Sequence, residues 1–538
     1  MKKYICYSYI LLLFGATSCK KFLNTTPTSF ASPTNFYQNA TQLQTALNSV
    51  YDILTNGEAL YGPYGTDMAY RWAFTCDEST AQQYLESQMI YDAGDASAKN
   101  CWGSLYAGIE RDNLLLANIN NPVMDSTQRN IIKGQALFLR GYYYYLLVTL
   151  YGDVPLITKP TASVNGDLSI ARTPVKEVYA QILSDMTTAE SLLSNANFTV
   201  QSLGYAEKVT VDAVDGFLAK VCLTMASPGA SGVPVDASKY NDAVTWANKL
   251  INNPYHVLNA DYKQIFINML QDKYDVKESI WEAGLYGTTA NEGSSFTLYS
   301  TIKNSPGGAS GNSYITKKLY DSYAPWDSVR LNWNCPNYYY TTTPVNFTPA
   351  TTPIASSWYM YPGKWRRIYE STFVGAGGSG QSSYNSCNVP LLRLADVYLM
   401  KAEAENQANG PTQAAYDAIN AVRRRAYKAP TNLPNPVCDL PGGLSKASFM
   451  DSVKAERMRE LCFEGIRKWD EIRWGTFVTD MQNLLVLASN TFPATTPSSQ
   501  TVNNIRIYCA AVSQKHFLLP IPNSELQLNN KLTQNPGW

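Results

Sequence analysis

Apolar residues recur at three- and four-residue spacing along most of the chain, the period of helices packed on one side. The clearest stripe runs from about Ser126 to Leu150 through Ile132, Ala136, Leu139, Tyr143, Leu146 and Leu150. Asp125 with Gln128 offers an N-cap and a reciprocal partner, and Gly152 and Pro155 end the run. Gly134 and Gly141 cost helix propensity, so a close-packed neighbouring helix is expected there. Similar stripes cover Thr173 to Leu193, Val209 to Ala226, Ala237 to Ile251 and Leu392 to Ala408. Asn409-Gly410-Pro411 closes the last, and Ala414, Ala418, Ile419, Val422 and Ala426 open another almost at once. So short a break sets two helices antiparallel, and the alanines let them approach closely. A final long helix is predicted from about Phe449 to Trp474. The pattern gives a mainly α fold of tetratricopeptide-like helical hairpins, without a strict repeat of about 34 residues.

Between about Leu285 and Pro390 the helical period largely stops. An irregular segment this long inside a folded body is more often functional than filler. It carries Trp326, Trp333, Tyr338, Tyr339, Tyr340, Trp358, Tyr359, Tyr361 and Trp365 with no core-forming period. Roughly a third of these rings are expected to stay exposed for a ligand, because exposed aromatics mark binding surfaces. Trp326, Tyr339 and Trp358 are the first choices as stacking rings. Arg71 and Asp77, in the early polar loop that also holds Glu78, are the first choices as hydrogen-bonding partners.

Composition removes several function classes. The 538 residues hold 43 Lys plus Arg against 43 Asp plus Glu, so nothing favours a polyanion such as nucleic acid. His256 and His516 are the only histidines, and no HExxH, Cys-x-x-Cys or P-loop pattern occurs. No catalytic residue, metal site or cofactor is therefore expected. The 38 tyrosines and 11 tryptophans point instead to a binding surface. Gly375 to Gly380 matches G-x-G-x-x-G, but no helix start follows, so it reads as a loop. Arg423-Arg424-Arg425 reads as a solvated or salt-bridged helix face. Glu456, Glu460, Glu464, Lys468 and Asp470 read as structural ion pairs, Glu464 with Lys468 at i,i+4.

Met1-Lys2-Lys3, an apolar run to Phe14 and the small residues Gly15 to Ser18 form a signal peptide over residues 1–18. Small residues directly before Cys19 resemble a bacterial lipobox, which makes Cys19 the lipidation site and residues 19–35 a tether. Export permits disulfides. Cys222 and Cys462 look like buried small residues, and of the six cysteines in or beside loops, Cys76 and Cys101 are the pair expected to bridge.

Several stretches resemble the SusD/RagB family. They are Lys133 to Pro155 with its Arg-Gly-Tyr-Tyr-Tyr-Tyr core and Tyr-Gly-Asp-Val-Pro exit, Leu392 to Ala404, Ile419 to Ala426, Glu456 to Gly475, Leu518 to Pro522 and Leu532 to Trp538. Behind a lipobox and in this order they are highly specific. The resemblance implies about four hairpins, with residues 36–230 and 231–538 in one globular body and the irregular part packed on it. It implies a SusC-like TonB-dependent outer-membrane transporter as partner, an oligosaccharide or peptide ligand, and a lipid-anchored protein facing the cell exterior. An all-helical glycoside hydrolase is the rival reading.

Overall fold

The computed structural model describes residues 36–55, 63–81, 86–161, 169–229, 235–285, 293–294, 296–303, 309–340, 351–370, 385–491 and 500–538. Cys19, the signal sequence, the tether and the glycine run at 375–380 lie outside them. Helix α1 (Ala40–Tyr51) leads to α2 (Ala96–Asn118), α3 (Ser126–Tyr151), α4 (Val175–Asn195), α5 (Val211–Ala226), α6 (Lys239–Ile251) and α7 (Tyr262–Leu270). After the middle region come α8 (Leu394–Asn409), α9 (Gln413–Ala426), α10 (Lys446–Leu461), α11 (Arg467–Arg473), α12 (Phe477–Thr491) and α13 (Gln500–Ala511).

Helices adjacent in sequence pack on one another: α2 on α3, α3 on α4, α5 on α6, and α8 on α9. The body is mainly helical and tetratricopeptide-like, as the apolar stripes imply. The main stripe ends at its expected caps. Asp125 Oδ1 accepts from Gln128 N at 2.8 Å, and Gly152, at φ 72°, donates its N–H to Val148 O. A Cβ on Gly134 would lie 2.9 Å from Leu193, and one on Gly141 3.2 Å from Met186, so the two glycines let α3 approach α4.

The strands are short and pair antiparallel in twos: β1 (Ser79–Ala81) with β3 (Ser313–Ile315), β2 (Ser279–Ala283) with β6 (Val389–Arg393), and β4 (Tyr338–Tyr340) with β5 (Thr351–Pro353). The β2–β6 pair is buried along its length and forms a neck. The chain enters the middle region from β2 and returns on β6, which runs straight into α8, and α8 then packs on α6. The β1–β3 pair ties the early loop to the middle region, reinforced by Tyr70 Oη against Ser313 Oγ at 2.9 Å.

The single long helix expected from Phe449 to Trp474 is two, α10 and α11, separated by a turn in which Phe463 and Gly465 have φ of 62° and 75°. Groups from elsewhere take up the freed backbone: Trp365 Nε1 donates to Phe463 O at 2.7 Å, and Phe463 N donates to Glu78 at 3.0 Å. Glu464 sits in this turn and bonds Lys364 and Arg393, each at 2.8 Å, instead of pairing with Lys468. Lys468 is buried with no hydrogen-bond partner among the described residues, and burial pushes its ammonium pKa down to about 8.

Around Glu464 lies a core of charge. Arg330 bonds Asp327, Glu456 and Glu460; Arg393 bonds Glu278, Glu460 and Glu464; Arg425 bonds Glu278 and Glu460. The arginine triplet is thus salt-bridged but not solvated: Arg423 meets Glu456 and Arg424 meets Asp439, and all three are buried. The eight described cysteines are buried thiols, and the expected Cys76–Cys101 disulfide is absent. Both behave as small core residues, Cys101 on α2 and Cys76 with its sulfur beside Ser79 Oγ.

Candidate functional site

The β4–β5 ribbon pairs Tyr339 with Thr352, so the alternation of a strand sends Tyr338 and Tyr340 to one face and Tyr339 to the other. Tyr338 and Tyr340 meet edge-on at 5.7 Å. Tyr339 meets Tyr361 at 6.5 Å, and Tyr361 in turn meets Tyr314, on β3, at 5.1 Å and 34°. Tyr314 and Tyr339 are half-buried while Tyr361 between them is buried, and burial pushes the Tyr361 phenol well above its ordinary range. Tyr359, 36% exposed, lies close by in sequence. Arg366 braces the ribbon: its guanidinium lies 4.1 Å from the Trp333 ring centre and donates to Tyr338 Oη at 3.3 Å and Trp333 O at 3.0 Å. The arrangement is a short row that holds two partly exposed tyrosines, Tyr314 and Tyr339, on paired strands either side of the buried Tyr361, a geometry suited to stacking and hydroxyl contacts.

Of the residues expected from the sequence, Tyr339 belongs to this row. Trp358 does not offer a face, because it is 1% exposed and part of the main core. Asp77 is fully buried and bonds Arg467 through both oxygens, each at 2.7 Å, with Lys318 at 2.5 Å. Burial opposes the charge of Asp77, but Arg467, Glu471 and Lys318 outweigh it and hold the carboxyl well below the usual range. It is a structural ion pair. Arg71 is half-buried and pairs with Glu86 at 3.3 Å. Its neighbour Tyr70 bonds Ser313, beside Tyr314. Trp326 is half-buried in a different setting, edge-on to Tyr427 at 6.1 Å and 5.0 Å from the Arg423 guanidinium. Among the described residues, the ring and cation contacts of Trp326 and of Tyr339 share no partner. Tyr314 was missed, lying upstream of the aromatic-rich stretch with no sequence signal except the neighbouring Gly311-Asn312-Ser313.

Two family models match the chain. One, described as the SusD family, covers residues 330–538, and the other, described as starch-binding and associating with outer membrane, covers residues 21–223. The chain belongs to the SusD/RagB family. SusD-like protein P25 of Formosa agariphila is 25% identical over 98% of this chain and 97% of its own length. SusD-like protein P2 of the same species is 25% identical over the full length of both. A SusD homolog from Bacteroides thetaiotaomicron VPI-5482 superposes with a TM-score of 0.82 at 25% identity, covering 94% of this chain and 98% of that one. The surface glycan-binding protein A of Bacteroides thetaiotaomicron, solved with laminarihexaose, shares the fold with a TM-score of 0.67 at 19% identity, over 92% of this chain and 99% of that one. Arg393, Glu460 and Glu464 fall within the span matched by the SusD family model, as do Tyr339 and Tyr361, whereas Tyr314 falls between the two spans.

Proposed function

We propose that this SusD/RagB protein captures an oligosaccharide on its tyrosine row. It then passes the ligand, chemically unchanged, to a SusC-like TonB-dependent transporter while acyl chains on Cys19 hold it to the outer membrane, facing outward. The observation that carries the reading is the chain of ring contacts from Tyr314 on β3 through Tyr361 to Tyr339 on β4, the strand that Arg366 braces through Tyr338. Such rings stack on the C–H faces of sugars, and their hydroxyls serve the sugar hydroxyls. The relative solved with laminarihexaose supports a glycan over a peptide, and the family description naming the outer membrane supports the location. The small residues before Cys19 support the anchor.

A glycosidase needs two carboxyls free to act on a bond. Glu456, Glu460 and Glu464 are instead buried and closed into ion pairs. Affinity gels cast with laminarin and with α-glucans test binding, and product analysis of the same incubations tests cleavage. Retention without products is expected, and Tyr314→Ala or Tyr339→Ala should abolish much of it. Failure to bind any glycan, or release of sugar products, overturns the reading. Mass spectrometry of the N-terminal peptide tests acylation of Cys19, and protease shaving of intact cells tests outward exposure.

A further inference from the structure

Where the helical stack meets the C-terminal segment, the structure holds a cavity of about 120 Å³, walled by α3, α5, α8, the turn at Glu464 to Ile466 and α11. None of the tyrosines of the row lines it. Its surface is mostly apolar, built by side chains such as Leu146, Phe217, Leu223, Met400 and Ile472. An apolar cavity of about 150 Å³ accommodates benzene, so this one is of the size of a single ring.

The charged groups that reach this cavity form a closed set. Lys220 bonds Asp396 at 3.0 Å, and Asp396 bonds Arg457 at 2.8 Å. Arg457 bonds Asp470 at 2.7 Å, Asp470 bonds Arg473 at 2.8 Å, and Arg473 bonds Glu403 at 2.8 Å. Three cations thus meet three anions, and Glu464 is taken by Lys364 and Arg393. A charged guest would lose its hydration and find no counter-ion. Of the polar groups in the wall, Thr149 Oγ1 and Trp469 Nε1 are buried without a hydrogen-bond partner among the described residues, and the half-buried Tyr145 has spare capacity, meeting Thr224 Oγ1 at a long 3.3 Å.

We propose that this cavity is a second binding site, taking one small uncharged molecule with a ring-sized apolar body and a single oxygen that meets the Tyr145 hydroxyl. The site is independent of the tyrosine row and of its glycan. Isothermal titration of the purified protein with p-cresol, toluene, benzoate and benzylamine tests it. p-Cresol should bind, toluene about fivefold more weakly for want of one hydrogen bond, and both charged probes at least about tenfold more weakly. Tyr145→Phe should erase the advantage of p-cresol and leave toluene unchanged. Leu223→Phe, which fills the cavity, should remove binding of both, and if it does not fold the Tyr145→Phe comparison stands alone. Laminarin should not compete with p-cresol. Equal binding of the charged probes, no binding of p-cresol, an unchanged preference in Tyr145→Phe, or displacement by laminarin would each overturn the proposal.

Discussion

The segment from α10 to α11 and the middle region both concentrate unusual side chains, but the two treat them differently. Around α10, charge is core: Glu460 bonds Arg330, Arg393 and Arg425, and none of the four is more than 1% exposed. In the middle region the aromatics divide. Trp333, Tyr340, Trp358, Tyr361 and Trp365 are buried, while Trp326, Tyr338 and Tyr339 keep part of their surface and Tyr359 is 36% exposed. A buried carboxylate is stable only with its cations in place, and the end of α10 from Glu456 to Leu461 is accordingly buried on every side. A two-stranded ribbon covers one of its faces at most, and rings alternate between core and surface along it.

The largest effect should come from Arg393→Met, which leaves Glu278, Glu460 and Glu464 short of a buried cation. Urea denaturation should show a loss of about 3–5 kcal/mol, and a loss below about 1 kcal/mol would mean the charge core does not hold the fold. Trp358→Ala should cost about 3 kcal/mol by leaving a void, with any change in glycan retention tracking the unfolded fraction. Tyr339→Ala sharpens the contrast. Its melting temperature should stay near that of the parent, while glycan affinity falls by about 1–3 kcal/mol; calorimetry that found the reverse order would make Tyr339 core.

A smaller effect concerns pH. Asp112 on α2 is fully buried, with neither oxygen bonded among the described residues, and burial, only partly countered by Arg140, raises its carboxyl well above the ordinary range. A folded-state pKa above the unfolded one favours the native state at low pH and withdraws that stabilisation as pH rises through the folded value. Asp112→Asn should therefore flatten the decline in stability above about pH 4, and denaturation across pH that showed parallel curves for parent and variant would exclude a titrating Asp112. The smallest effect is none at all: a reductant should leave the melting temperature unchanged, because Cys76 and Cys101 are not bridged.

What could be read from the chain followed the range of the physics. The α3 stripe and the Gly134 and Gly141 contacts with α4 were legible, because burial on one side of a helix repeats locally. The break at Phe463 was not, since its backbone is held by Glu78 and Trp365 from distant parts of the chain. Asp77 looked like an exposed polar-loop residue for the same reason: its partner Arg467 lies 390 positions away. Tyr314 and Tyr361 become neighbours only through the fold, where β3 is held by β1 and by the bond from Ile315 N to Met360 O. Residue type announces an aromatic surface but not which rings face water.

The neck formed by β2 and β6 has a bearing on how such a molecule can diversify. Because departure and return share one hydrogen-bonded strand pair, the intervening chain can lengthen or change at an entropic cost that grows only logarithmically with its length. The helices α6 and α8 would still meet across the same gap. Exchange is bounded by Arg330, Lys364 and Trp365, which bond Glu456, Glu460, Glu464 and Phe463 of the scaffold: transplanting the chain between Ala283 and Val389 should transfer ligand preference and keep the recipient's fold only where the donor segment carries these three residues.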